Sequence, residues 1–247
     1  MKKILCLMTA FLFVLSSCSE NEKVDIPDVN SSLLLKRMIV TDEDGSSFTL
    51  NYTYNGNQLV AITDSEGEGA IYWTYDQDMI TKMEIKLSDG LVFQRNTYTY
   101  DANKRLVGFV RVDPEYNEGF REEYTYNSDN TIAVKAYSGD DNTQTIFDGT
   151  ATITFADGEV AEYVSTYGVD YSYTYDTKNN PAKNILGLNK ISFIDGEASG
   201  ILHNIISTSV ENNVQSTSVF TYNSQDYPLT EVATDSNGKT STQFFYD

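Results

Sequence analysis

An alternation with a period of two residues runs through most of the chain and restricts it to β-structure. Phe48, Leu50, Tyr52 and Tyr54 alternate with Thr49, Asn51 and Thr53, and Val169, Tyr171, Tyr173 and Tyr175 alternate in the same way. Successive side chains on a strand point to opposite faces, so this spacing describes a strand with one buried and one wet face. Each alternating run closes on a short signature, Tyr-Thr-Tyr followed by Asp or Asn, at 52–55, 98–101, 124–127 and 173–176. Variants occur at 73–76, 153–155, 220–223 and 244–247. The second aromatic of each signature falls at 54, 75, 100, 126, 155, 175, 222 and 246, with gaps of 21, 25, 26, 29, 20, 47 and 24. Six gaps are one repeat long, and the gap of 47 is close to two.

Turn-forming residues follow each signature, as in Asn55-Gly56-Asn57 and Asp101-Ala102-Asn103. A second run then opens on an aliphatic residue at a nearly fixed offset: Leu59, Ile80, Leu106, Ile132 and Val160. Asp44-Gly45, Asp89-Gly90, Asp148-Gly149 and Asn237-Gly238 supply further turns. The unit is a β-hairpin, and eight anchors with two strands each predict about sixteen antiparallel strands in a meander. Open sheets rarely exceed about ten strands without curling or closing. The expected fold is therefore all-β, a strongly curved or barrel-like sheet, with residues 33–247 as one hairpin-repeat domain. One short helical or irregular insert is expected near 180–207, opened by Asn179-Asn180-Pro181 and placed to plug or cap one end of the sheet. Within it, Ile191-Ser192-Phe193 reads as a degenerate anchor, and Ala182 to Leu188 as a helical turn.

Residues 1–17 read as a signal peptide: Lys2 and Lys3, then the apolar stretch Ile4 to Leu15, too short for a comfortable membrane span. Leu15-Ser16-Ser17-Cys18 resembles the bacterial lipoprotein signal, in which the cysteine is acylated and becomes the new N-terminus. Cys18 is thus the expected lipidation site and membrane anchor, and residues 18–32 a polar, flexible tether. Glu20 and Glu22 resemble the surface-export signal of Bacteroidetes lipoproteins, and they fit an ordinary acidic linker equally well. The expected location is the outer membrane, in its periplasmic leaflet or on the cell surface. Losing residues 1–17 removes two lysines and no acid, so the formal charge of −19 becomes −21. A chain this acidic is repelled by the phosphates that dominate nucleic-acid affinity. Two cysteines, Cys6 and Cys18, both outside the folded part, and one histidine exclude disulfides, thiol nucleophiles and a closed Cys/His zinc site.

The lipoprotein signal, the Tyr-x-Tyr-Asp/Asn hairpins, the stretch Asn180-Pro181-Ala182-Lys183-Asn184-Ile185 and the stretch His203-Asn204-Ile205 together resemble a family of Bacteroidetes lipoproteins with a porin-like fold. The likeness covers nearly all of the chain after the signal, and it rests on scaffold motifs. It implies a fold and an address, and carries no activity or catalytic residue with it. The hairpins are also similar, less closely, to the YD repeats of bacterial toxin shells, which place a glycine after the Asp turn where Asp76, Asp101 and Asp176 have none. Porin-like need not mean membrane-spanning. Lipid-facing strands need a continuous apolar outer band, whereas the second face here carries Thr, Asn, Ser, Glu and Lys, as in Arg121-Glu122-Glu123. The fold is expected to be porin-like in topology but soluble.

No Walker, dinucleotide, GxSxG or HExxH pattern is present. The tyrosine stripes read as core because they keep phase with aliphatic neighbours, with Trp73, Tyr75 and Tyr100 the candidates for a stacking platform. His203, among Leu202, Ile205 and Ile206, reads as a packing or hydrogen-bonding residue. Asp140-Asp141-Asn142 and Asp64 to Glu68 lack the EF-hand pattern, and no metal or cofactor is expected. The leading expectation is a non-enzymatic, lipid-anchored binding or scaffold module for a glycan, peptide or envelope protein. The alternatives are a carbohydrate-active enzyme with paired carboxylates and a purely structural envelope element.

Overall fold

A computed structural model describes residues 33–247; Cys18, the signal and the tether lie outside the described residues. The first eight strands are β1 (Leu35–Thr41), β2 (Ser47–Asn55), β3 (Gln58–Asp64), β4 (Gly69–Asp76), β5 (Met79–Leu87), β6 (Val92–Tyr100), β7 (Leu106–Asp113) and β8 (Glu118–Tyr126). The next eight are β9 (Ile132–Gly139), β10 (Gln144–Ala156), β11 (Glu159–Ser165), β12 (Tyr171–Tyr175), β13 (Ile205–Val210), β14 (Asn213–Tyr222), β15 (Pro228–Asp235) and β16 (Gly238–Tyr246). Each pairs antiparallel with its neighbours in sequence, and β1 closes on β16 from Leu35↔Tyr246 to Thr41↔Ser241. The result is a closed sixteen-strand barrel. Closure removes both sheet edges, which in so long a meander would otherwise be left to pair with other chains.

The eight aromatic anchors end the eight even-numbered strands, and Tyr54, Tyr75, Tyr100, Tyr126, Phe155 and Tyr246 pack against the buried core of the lumen. Their hydroxyls explain why tyrosine is used there. Tyr54 donates to the Leu35 carbonyl at 2.8 Å, Tyr100 to Ile80 at 2.7 Å and Tyr175 to Val160 at 2.8 Å. Tyr75 instead accepts the Leu59 N–H at 3.1 Å. Each of these phenols thus ties one hairpin to the first or second residue of the preceding odd strand, satisfying a backbone group where the ladder begins. Leu59, Ile80, Leu106, Ile132 and Val160, all at most 2% exposed, pack between the rings.

One turn is expanded. At the β6–β7 turn the Asp101 carboxylate accepts the N–H groups of Asn103 and Arg105, and its own N–H donates to the Arg105 carbonyl. Asn223 repeats this with Gln225 and Tyr227. Asp176 does the same with Lys178 and Asn204. Asn204 therefore stands where Arg105 and Tyr227 stand, and residues 177–203 replace a three-residue turn. The gap of 47 is one repeat plus this insert, not two repeats. Ile191-Ser192-Phe193 is correspondingly no strand anchor: it is irregular chain, buried on all three residues. The expected helical turn shrinks to one 3-10 turn at Leu188–Lys190.

The insert closes the anchor end of the barrel and dips into it. Leu186 donates its N–H to Asn57 across the rim, and Asn184 reaches the Leu33 carbonyl. Deeper in, Phe193 meets Tyr124 and Phe155 edge-on at 5.6 and 5.9 Å. Ile185, Ile191, Phe193 and Ala198 are buried among wall residues. On the return, Glu159, 2% exposed, accepts three successive N–H groups from Ile201, Leu202 and His203.

Outside, the wall is mostly polar, with exposed apolar side chains such as Tyr72, Phe147, Val164 and Val219 set among polar ones. Thr49, Asn51 and Thr53 on β2, Thr97 and Thr99 on β6, Thr150 and Thr152 on β10 and Ser241 and Gln243 on β16 occupy the positions that alternate with the lumen residues. Glu84 on this face meets Arg95 at 2.9 Å, Lys82 at 3.1 Å and Lys86 at 3.4 Å. Burial under those chains opposes ionisation, yet their hydrogen bonds hold its carboxyl down at about 2. Arg121 and Glu123 lie on this face too, but Glu122 does not, contrary to the sequence expectation. It keeps phase with Tyr124 and Tyr126 and is fully buried.

Candidate functional site

Below the aromatic layers the inward positions turn polar. Gln94 and Asn96 precede Tyr98 and Tyr100 on β6, Glu122 precedes Tyr124 on β8, and Glu231 and Thr242 face inward from β15 and β16; all five are buried. The tip of the insert meets this belt. Glu122 accepts the Asp195 N–H at 2.8 Å and the Tyr167 and Tyr163 hydroxyls at 2.9 and 3.1 Å, and also the Tyr124 hydroxyl. Burial pushes its carboxyl above the ordinary range despite these donors. Arg111 on β7 grips Asp195 through one guanidinium nitrogen and lies 3.6 Å from Asp113.

Between this tip and strands β4–β7 the wall and the insert leave a cavity of about 400 Å³. That is within the range of about 300–1,000 Å³ usual for small-molecule sites. Trp73 and Ile71 come from β4, Met83 and Ile85 from β5, Gln94, Asn96 and Tyr98 from β6, and Arg111 from β7. The insert contributes Leu188, Ile191, Ile194, Asp195 and Glu197. Gln94 donates to the Asn96 side-chain oxygen at 2.9 Å, which fixes both amides along one side. Glu197, half-buried, has the Tyr171 hydroxyl at 3.4 Å; burial, then the Asp195 charge, raises its carboxyl.

Of the three platform candidates, Trp73 lines this cavity. Tyr75 and Tyr100 do not, and their hydroxyls are committed to Leu59 and Ile80. His203 is also away from the lining, its Nδ1 3.4 Å from Glu159. Asp64 and Asp140 spend their carboxylates on N–H groups of their own turns, Glu66 and Gly67 for the first, Asn142 and Thr143 for the second. Among the described residues no three His, Cys, Asp or Glu side chains gather as a metal site. A shallower cleft runs along the anchor-end rim, between the turns at Asn103 and Asn127 and the insert at Asn189 and Lys190.

No family model and no curated protein matches the chain. Among solved structures the fold resembles a porin-like protein from Bacteroides uniformis, with a TM-score of 0.51 and 12% identity over 86% of this chain and 98% of that one. A porin-like protein from Bacteroides vulgatus aligns over 87% of this chain and 99% of that one, at a TM-score of 0.42 and 8% identity. The first likeness places the chain in the porin-like class of β-barrels by fold.

Proposed function

We propose that the protein is a non-enzymatic binding module of the cell envelope, a water-facing barrel held at the outer membrane by lipid on Cys18 that takes a small ligand beside Trp73. The cavity carries this reading: the insert packs into the lumen yet leaves about 400 Å³ against the one tryptophan of the chain. The mostly polar outer wall supports a barrel in water rather than one facing lipid, and a barrel in water needs a separate anchor to stay at a membrane. The porin-like neighbour from Bacteroides uniformis fits an envelope setting. In the intact envelope, a glycan or a partner protein would supply the ligand group.

Titrating Trp73 emission with glycan fragments, short peptides and small metabolites tests the cavity. At least one class is expected to shift the emission saturably, and silence across all three would overturn the reading. The address is tested separately: Cys18→Ala is expected to lose acyl label and leave the membrane fraction, and a variant that keeps its label contradicts it. A carbohydrate-active enzyme is the second reading, favoured by Asp195 and Glu197 lining one cavity. It requires turnover of an aryl glycoside that Glu197→Gln abolishes.

A further inference from the structure

Taking the lumen cavity as the ligand site proposed above, we infer that its ligand is an organic cation, an apolar body carrying a protonated amine that faces Glu197. The walls set the body. Trp73, Ile71, Met83, Ile85, Leu188 and Ile191 present apolar surface on several sides, and such a lining favours a ligand that is apolar over most of its area.

Charge sets the head group. Among the described residues Arg111 is the only cation lining the cavity, and Asp195 and Asp113 already engage it. Glu197 lines the same cavity with a phenol hydroxyl as its hydrogen-bonding partner. One arginine thus stands against two lining carboxylates, Asp195 and Glu197, with Asp113 at its back, which leaves the site short of positive charge. A half-buried carboxylate in that position is stabilised by any cation brought to it. An ammonium between Glu197 and the face of Trp73 would gain both the ion pair and the attraction of the ring. Gln94 and Asn96 add amide acceptors on β6 for the remaining N–H donors. An anionic ligand would meet Glu197 and Asp195 without a free cation to offset them. The chain's formal charge of −19 acts in the same direction at long range, concentrating cations and repelling anions.

The test uses three probes of one shape, 4-phenylbutylamine, 4-phenylbutanol and 4-phenylbutyrate, titrated into the purified full-length protein at neutral pH with Trp73 emission as the readout. The amine is expected to bind at least tenfold more tightly than the alcohol, and the acid more weakly than either. Glu197→Gln keeps the Tyr171 contact and the volume, so it is expected to bring the amine down to the level of the alcohol while leaving the alcohol unchanged. Equal binding of all three probes would overturn the cation assignment and leave the cavity reading intact, as would an amine preference that survives Glu197→Gln. A protein whose Trp73 responds to no probe, nor to any class in the wider screen, would overturn both.

Discussion

Glu122→Ala is expected to destabilise the barrel by about 3–5 kcal/mol, whereas Glu122→Gln is expected to cost about 1 kcal/mol or less. The carboxylate is the common acceptor for Tyr124, Tyr163, Tyr167 and the Asp195 N–H, all inside the lumen. Alanine leaves these donors facing a void, and each buried donor without a partner costs about 1–3 kcal/mol unless it can turn elsewhere. Glutamine keeps an acceptor oxygen and the volume, and it needs no charge. The pH dependence separates the two effects. Burial raises the folded pKa of Glu122, and that of Glu231 still more clearly. A carboxyl raised in the folded state stabilises fully below its unfolded value of about 4.3 and loses that contribution as pH rises through the folded value. Wild-type urea midpoints should therefore fall as pH rises above the unfolded value of about 4.3, and Glu122→Gln should flatten the fall. Glu84, held at about 2, acts oppositely, losing its contribution only as pH drops well below 4. An Ala variant as stable as Gln, or a slope unchanged by Gln, would remove Glu122 from the role of buried acceptor.

Tyr100→Ala is expected to cost about 3 kcal/mol, the lower end of the scale of about 3–5 kcal/mol for a fully buried ring, because Tyr100 is half-buried. Tyr100→Phe should cost about 1 kcal/mol, the worth of its hydrogen bond to the Ile80 carbonyl. Thr99→Ala, one residue earlier on the wet face, should stay within about 0.5 kcal/mol. Denaturant midpoints of the three variants check the series. Equal losses at 99 and 100 would mean that the two faces of β6 are not the inside and outside of a barrel.

The barrel was legible because its grammar is local. A period of two, an aromatic anchor and an aliphatic restart at a nearly fixed offset are properties of single hairpins, and eight hairpins in a row leave a sheet little choice but to curl. The insert was legible only as an interruption. Ile191-Ser192-Phe193 has the alternation of a strand, but its residues are buried on every side, and no pattern distinguishes chain inside a lumen from chain in its wall. Trp73 was within reach because it shares phase with Ile71 and Tyr75. Gln94, Asn96 and Glu122 also carried a signal, since a polar residue four or six positions before an anchor must face inward with it. Reading Arg121-Glu122-Glu123 as one polar run hid that phase. Arg111, Asp195 and Glu197 converge only after the turn at Asp176 expands and its tip folds back into the barrel, a long-range event that spacing does not record.

We propose a barrel turned inside out with respect to lipid, with aromatics and its own insert in the lumen and mostly threonine, asparagine and charge outside. Sedimentation velocity on residues 33–247 in detergent-free buffer tests it most directly. A single monodisperse monomer with a β-sheet spectrum is the expected result. A chain that sediments as aggregate until detergent micelles are supplied, and only then folds, would contradict it.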